Sequence, residues 1–100
     1  MTSKSKTTAE SRLHIFVSGM VQGVFFRVHA KDKADSLGLS GWVRNRHDGS
    51  VEAVLQGEPG PVAAMIELCR LGPAAARVDR VEIVGEGVGA YDGFEVRPSG

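Results

Sequence analysis

A glycine-bearing loop between a strand-like pattern and a helical pattern most limits what this chain can fold into. The loop comprises Gly19, Met20, Val21, Gln22, Gly23, Val24, Phe25, Phe26 and Arg27. A loop that leaves a strand and opens a helix collects unpaired backbone N–H groups at the positive end of the helix dipole. Arg27 adds a planar guanidinium that suits two phosphate oxygens at once. The loop therefore predicts an oxyanion site; a tight turn followed by a solvated arginine is the alternative.

A second segment, residues 41–51, has the sequence G-W-V-R-N-R-H-D-G-S-V and comes shortly after L-G-L at residues 37–39. This segment and the V-Q-G-V-F-F-R sequence at residues 21–27 resemble the two long motifs of the acylphosphatase family, at that family's spacing. The looser similarity covers roughly residues 12–98, which is nearly the whole chain. The resemblance implies a ferredoxin-like fold, hydrolysis of acyl phosphates, and catalytic roles for Arg27 and Asn45.

Charge limits the kinds of partner. The 100 residues carry 12 basic and 12 acidic side chains, so the formal net charge is zero. A neutral domain is not expected to bind nucleic acid or an anionic membrane surface as its main partner. A ferredoxin-like domain that stacks RNA bases on its sheet is a further alternative. That function requires basic and aromatic strand faces, whereas aromatic residues make up only 6% of this chain.

The chain contains no apolar run near the roughly 20 residues that span a bilayer, and its N-terminus lacks the apolar segment of a secretory signal. Cys69 is the single cysteine, which excludes an intramolecular disulfide and fits a reducing cytoplasm. Residues 1–10 are rich in Ser, Thr and Lys, so we expect a disordered tail before a domain over residues 11–98. We expect a monomeric, cytoplasmic protein.

Hydrophobic periodicity predicts the element order βαββαββ. Strands are predicted over 13–18, 41–47, 51–56, 78–84 and 91–97, the last with Phe94 and Val96 facing inward. The buried helix faces are predicted to be Phe26, Ala30, Ala34 and Leu37, and Val62, Met65, Ile66 and Cys69. Gly38 is expected to end the first helix, and Pro61 to begin the second. This order predicts a ferredoxin-like α/β plait, βαββαβ with an extra C-terminal strand, in which two helices cover one face of a mainly antiparallel sheet.

The predicted topology brings Asn45 close to the loop. In such a plait the first and second strands run parallel with the third between them, so their C-terminal ends lie at the same end of the sheet. The loop leaves the first strand there, and Asn45 lies near the end of the second strand. Two strand spacings separate these backbones by about 10 Å, a gap that two side chains and a phosphate can bridge.

The residue types at this end of the sheet narrow the chemistry. The chain offers no carboxylate pair, no His/Cys/Asp metal set and no G-K-[ST] nucleotide motif, so we expect neither a metal nor a cofactor. The absence of a strong base or nucleophile favours a substrate with an excellent leaving group. An acyl phosphate qualifies, because its carboxylate leaves without protonation through a loose transition state. We expect the loop and Arg27 to hold the phosphoryl group while Asn45 orients the attacking water, which yields carboxylate and inorganic phosphate.

A binding module is the main alternative. In that interpretation an acylphosphatase-like domain holds a phosphate-bearing ligand, or serves a larger carbamoyl-transfer enzyme, without turnover of its own. We do not expect the fused form, because the sequence stops at residue 100 without a second domain. We expect His14 and His29 to be structural, and Arg44 and Arg46 to form a solvated sheet face with Trp42 under a guanidinium.

Overall fold

The computed structural model describes residues 10–87 and 89–100. The elements are β1 (Ser11–Met20), α1 (Phe26–Ser36), β2 (Ser40–Asn45), β3 (Val51–Gly57), α2 (Pro59–Leu71), β4 (Arg77–Glu86) and β5 (Phe94–Val96). The predicted tail over residues 1–10 lies outside the described residues except for Glu10. Neither helix in the described ranges is long and apolar enough to cross a membrane.

The five strands form one sheet in the order β4-β1-β3-β2-β5. All neighbours pair antiparallel except β2 and β5, which pair in parallel. β1 and β2 therefore run in the same direction on either side of β3, and their C-terminal ends lie at the same end of the sheet. The predicted ferredoxin-like plait with an extra C-terminal strand is confirmed.

The core lies between the helices and one face of the sheet. Odd-numbered strand residues such as Ile15, Val43 and Leu55 are fully buried on this face. The predicted helix faces are also buried, with Phe26, Ala30 and Ala34 on α1 and Val62, Met65, Ile66 and Cys69 on α2. Leu37, also predicted for the first face, lies just beyond α1 and is only partly buried. Each large apolar side chain that leaves water contributes about 1.5–3 kcal/mol. This burial holds α1, and with it the loop before α1, against the sheet.

The end of α1 agrees with the prediction from the sequence, whereas the start of α2 differs from it. α1 ends as predicted, because the N–H of Gly38 donates to the Asp35 carbonyl (3.1 Å) and the N–H of Leu39 to the Ala34 carbonyl (2.9 Å). α2 begins at Pro59, two residues before the predicted start at Pro61. The preceding residue, Glu58, is extended and its carbonyl already accepts the N–H of Val62 (3.0 Å), so both prolines fit within the first turn.

The strand boundaries depart from the predictions near the chain reversals. β2 ends at Asn45 instead of residue 47, because the N–H of Arg46 donates to the Ser50 carbonyl (2.8 Å) and closes the hairpin loop. β5 is only three residues long. Val96 lies on the same face of the sheet as Phe94 and opposite buried Val43, as predicted, but its side chain is 40% exposed while Phe94 is buried. β5 lies at the edge of the sheet with only β2 beside it, so its C-terminal residue is covered from one side only.

Candidate active site

A cavity of about 200 Å³ opens at the end of the sheet where β1 and β2 finish. It is lined by Val21, Gly23, Phe25, Phe26, Arg27, Val28 and Asn45. The structure thus brings Arg27 and Asn45 together, although they lie 18 positions apart in the chain and on different elements. Of the other predicted loop residues, Gly19, Met20, Gln22 and Val24 do not line this cavity.

The loop backbone bends through left-handed conformations before α1 begins. Gly23 has φ +75°, and Phe25 has φ 63° and ψ 25°. Within the described part of the chain, Phe25 is the only non-glycine residue at positive φ. Such a conformation costs a residue with a side chain about 1 kcal/mol or more. Backbone strain of this kind is found mostly at functional sites, where the surrounding structure maintains it.

The N-terminus of α1 points positive charge at the cavity. No side chain caps its first backbone N–H groups, and its first turn contains no acidic residue. Uncapped N–H groups and the helix dipole together favour an anion at this position. The predicted oxyanion site therefore has a physical basis in the loop and in the first turn of α1.

Arg27 supplies the cationic side chain of the cavity. It is half-buried and makes no ion pair or side-chain hydrogen bond with any described residue. Every other arginine has such a partner among the described residues. A guanidinium of this kind keeps its planar fork available for a bidentate contact with an anion.

Asn45 contributes a hydrogen-bond acceptor. It is the last residue of β2, and its backbone carbonyl accepts the N–H of Gly100 (3.0 Å), which fixes the main chain at this point. The side-chain oxygen Oδ1 is buried and accepts no hydrogen bond from any described residue. An unpaired buried amide oxygen costs about 1–3 kcal/mol, so a donor entering the cavity gains that interaction.

Gln22 connects the loop to the hairpin that follows Asn45. Its Nε2 donates to the carbonyls of Arg46 (2.7 Å) and Ser50 (2.8 Å). The Gln22 side chain therefore sets the distance between the loop and the end of β2. Sequence reasoning predicted Gln22 as a member of the phosphate-binding loop but missed this connection, because the contact depends on how β1 and the β2–β3 hairpin meet in three dimensions.

The second face of the sheet carries a buried carboxylate, Glu52, which is only 4% exposed. Its oxygens accept hydrogen bonds from His14 Nε2 (2.6 Å), Arg44 Nε (2.8 Å) and Arg46 Nη1 (3.0 Å). Burial opposes ionisation of Glu52, but these three hydrogen bonds outweigh it and lower the pKa. Arg44 and Arg46 remain about a third exposed on this face, but both also pair with Glu52, which the sequence analysis did not predict. The expected stacking is confirmed, since the Arg44 guanidinium lies 5.2 Å from the Trp42 ring centroid.

The remaining titratable candidates stay outside the cavity. Burial, with a smaller effect of the Lys33 charge, lowers the pKa of His29, and His29 does not line the cavity. Burial raises the pKa of the Cys69 thiol to about 12, so this side chain is an inert part of the core. Across residues 10–87 and 89–100, no three His, Cys, Asp or Glu side chains cluster in a way that could hold a metal ion.

A split α/β plait with an uncapped helix N-terminus and a free arginine beside a cavity at one end of its sheet has groups suited to a phosphoryl anion. The family model for acylphosphatase matches residues 13–96. The chain belongs to the acylphosphatase family, and it is a hydrolase with acylphosphatase activity. The predictions of family, fold and enzyme class are confirmed.

Relatives and solved structures support this assignment. The acylphosphatase of Haloarcula marismortui is 48% identical over 89 residues, which cover 89% of this chain and 98% of that protein. The structure of an acylphosphatase from Coxiella burnetii superposes with a TM-score of 0.86 at 41% identity and covers 97% of this chain and 100% of that chain. Full-length HypF, solved in a phosphate- and nucleotide-bound form, aligns with a TM-score of 0.83 at 26% identity; the match covers 90% of this chain but 12% of HypF.

Proposed function

We propose that the protein hydrolyses the carboxyl–phosphate mixed anhydride of small acyl phosphates by direct attack of a water molecule that Asn45 orients. One observation carries this proposal: a free guanidinium, an uncapped helix N-terminus and an unpaired amide oxygen meet in one cavity of about 200 Å³. The first two groups suit an anion, and the third suits a hydrogen-bond donor. A phosphoryl group and a water molecule supply that combination.

Arg27 and the backbone N–H groups of the loop residues that line the cavity, Val21, Gly23, Phe25 and Phe26, hold the phosphoryl oxygens. Negative charge is spread over these oxygens throughout phosphoryl transfer, so positive groups fixed in advance stabilise the reaction without having to reorganise. The left-handed conformation of Phe25 turns the chain from the loop into α1 beside the cavity. Gln22 holds the loop at a constant distance from Asn45 through its two bonds to the hairpin.

Asn45 Oδ1 accepts a hydrogen bond from the attacking water and thereby orients the water oxygen towards phosphorus. A new P–O bond forms while the bond to the acyl oxygen breaks, and the electron pair of that bond leaves with the carboxylate. The water contributes one oxygen to inorganic phosphate, and its protons pass to phosphate and solvent. Because the transition state is loose and the leaving group is a weak base, the reaction needs neither a strong general base nor a general acid.

The mechanism assigns no step to a metal or cofactor, since the chain's own cation and dipoles provide the charge complement. We also infer a monomeric protein in a reducing compartment such as the cytoplasm. The compartment is supported by Cys69, which is the single cysteine and is free and buried.

The alternative raised by the sequence, a non-catalytic phosphate-binding module, makes the opposite prediction about turnover. Purified protein mixed with acetyl phosphate separates the two functions, with released inorganic phosphate as the readout and the Arg27→Ala variant as the control. We expect phosphate release far above the spontaneous rate for the native chain and a large loss in the variant. Phosphate binding without release from acetyl phosphate would favour the binding module.

A further inference from the structure

The buried carboxylate of Glu52 has no role in the mechanism described so far. Glu52 does not line the cavity, and it lies opposite Arg44 of β2 on the face of the sheet that the helices leave open. Asn45 lies opposite the fully buried Val51, so its side chain is on the other face, with the core and the cavity. Any effect of Glu52 on the cavity therefore passes through the strand that carries Asn45.

Glu52 holds the residues on both sides of Asn45. Its Oε1 accepts hydrogen bonds from Arg44 Nε (2.8 Å) and from Arg46 Nη1 (3.0 Å), and these arginines directly precede and follow Asn45 in the chain. The Arg46 guanidinium also lies 5.0 Å from the centroid of the Phe16 ring on β1. One carboxylate oxygen therefore ties both neighbours of Asn45 to β3.

The backbone at Asn45 depends on the same pairing. The Asn45 carbonyl accepts the N–H of Gly100 (3.0 Å), and the N–H of Arg46 donates to the Ser50 carbonyl (2.8 Å). Gly100 lies directly against the Arg44 guanidinium, so closely that a Cβ atom at residue 100 would collide with it. A shift of either arginine would therefore disturb one of the two backbone hydrogen bonds that flank the Asn45 side chain.

The stability of the fold does not explain why a carboxylate occupies this position. Burying ionised groups is costly, and replacing a whole buried ion cluster with apolar residues is often neutral or stabilising. The same face can bury an apolar side chain, since Val54, two residues further along β3, is only 3% exposed. Hydrogen bonds between ionised groups add geometric specificity as well as energy. The cluster is therefore better suited to fixing the end of β2 than to stabilising the fold.

We propose that Glu52 is a positioning residue for the hydrolysis, because through Arg44 and Arg46 it fixes the direction in which Asn45 presents its amide to the attacking water. This inference rests on the proposed function, since it concerns the orientation of Asn45 in the same site. Phosphate binding is assigned to Arg27 and the loop, which the packing of α1 holds in place. Loss of the Glu52 charge is therefore expected to lower kcat and to leave the affinity for inorganic phosphate close to native.

The first test is a double-mutant cycle on kcat for acetyl phosphate. Its variants are Glu52→Gln, which is nearly isosteric but uncharged, Arg46→Met, which keeps most of the aliphatic stem, and the two combined. We expect kcat to fall about tenfold in Glu52→Gln, because a small misplacement of a positioning group has a large kinetic effect. The combined variant should fall no further than Glu52→Gln alone, since both changes break the same pairing. The inhibition constant of inorganic phosphate should stay close to native in all three.

Two controls separate positioning from general damage to the fold. Glu67→Gln makes the same chemical change in an exposed pair on α2, where Glu67 lies 3.2 Å from Arg70. Ile66→Val removes one methylene group from the core side of α2 and so lowers stability without changing β2. Both should keep the native kcat at a temperature where circular dichroism shows every variant to be folded. A native kcat in Glu52→Gln, an equal fall in either control, or independent effects in the combined variant would overturn the positioning role and leave the proposed hydrolysis intact.

Amide hydrogen exchange tests the hold on β2 without any turnover. The N–H groups of Gly100 and Arg46 report the two backbone hydrogen bonds that flank the Asn45 side chain. In Glu52→Gln we expect their exchange to accelerate several-fold more than that of Leu39, whose N–H donates to the Ala34 carbonyl (2.9 Å) at the end of α1. This result in a protein that releases no phosphate would support the hold of Glu52 on β2 and reject the hydrolase mechanism. Equal acceleration at all three amides would reject the local hold.

Discussion

Among single residues, Arg27 and Asn45 line the same cavity but offer opposite chemistry. The Arg27 guanidinium is free of described partners and can donate several hydrogen bonds to an anion. Asn45 presents a buried acceptor that no described donor satisfies. In the proposed mechanism the first group acts on substrate and product alike, whereas the second acts on the attacking water. Replacing Arg27 is therefore expected to weaken binding, whereas replacing Asn45 is expected to lower kcat.

Replacing Arg27 with alanine should weaken binding of both substrate and inorganic phosphate. A charge-assisted contact of this type is worth about 1.5–3 kcal/mol, so we expect at least about a tenfold rise in the phosphate inhibition constant. Arg27→Lys should restore little, because an ammonium cannot reproduce the planar fork. Steady-state kinetics with phosphate as inhibitor gives both numbers. In the native chain phosphate should compete with substrate, and purely non-competitive inhibition would place the anion site elsewhere.

The lowered pKa of Glu52 predicts how the free energy of unfolding depends on pH. Its pKa lies below the ordinary value of 4.5, so its contribution is fully present above that value and is lost as the pH falls through the lower folded pKa. Glu52→Gln leaves Arg44 and Arg46 without their shared anion, and we expect it to lower the free energy of unfolding by about 2 kcal/mol near pH 7. Urea unfolding at several pH values measures this. The difference between variant and native chain should shrink as the pH falls further below 4.5, and a constant difference would contradict the role given to Glu52.

At the level of structural elements, the site depends on how the loop is attached to the β2–β3 hairpin. α1 carries the anion-binding end, and β2 carries Asn45. Packing of α1 on the sheet sets their coarse separation, while Gln22 connects the loop directly to residues 46 and 50. A small shift of the loop would change the angle between water and phosphorus, to which positioning catalysis is sensitive.

Replacing Gln22 with alanine should cost about 1–2 kcal/mol of stability. Both acceptor carbonyls keep another backbone hydrogen bond, so the loss is that of two ordinary bonds and not of two orphaned groups. Gln22→Glu is nearly isosteric, but its carboxylate faces two carbonyl oxygens, and we expect it to be less stable than the alanine variant near neutral pH. Chemical unfolding of the three proteins checks this order. An alanine variant with native stability and native kcat would show that the connection does not matter.

For the whole molecule, the pattern of the sequence predicts the architecture well. The spacing of Phe26, Ala30 and Ala34 identifies the buried face of α1, and the plait topology brings Asn45 to the loop. Both follow from periodicity and chain connectivity, which are properties of the sequence itself. The prediction of the oxyanion loop and of Arg27 rests instead on the residue types at the strand-to-helix turn and on the resemblance to the family.

Details that depend on contacts between distant segments could not be predicted. Adjacent Phe25 and Phe26 look alike in sequence, yet one lies at the cavity rim and the other in the core. The burial of Glu52 requires three donors from two other stretches of the chain, and β2 stops at Asn45 because of a hydrogen bond across the hairpin. In each case tertiary packing decides among local conformations that the sequence pattern allows equally.

The positive groups that the domain itself supplies to the cavity predict activity without added metal ions. Arg27 and the N-terminus of α1 already face the position proposed for the phosphoryl group. We therefore expect the rate of acetyl phosphate hydrolysis to be unchanged after exhaustive treatment with EDTA. The assay should be repeated with magnesium or zinc added back. A loss of activity that either ion restores would contradict the mechanism.

The central claim is that Asn45 orients the attacking water, and the Asn45→Ala variant tests it most directly. Acetyl phosphate kinetics and calorimetric titration with inorganic phosphate should be measured on a variant that circular dichroism shows to be folded. We predict that kcat falls on the order of 100-fold or more, while the phosphate dissociation constant stays close to that of the native chain. A folded Asn45→Ala protein that hydrolyses acetyl phosphate at the native rate would contradict the account.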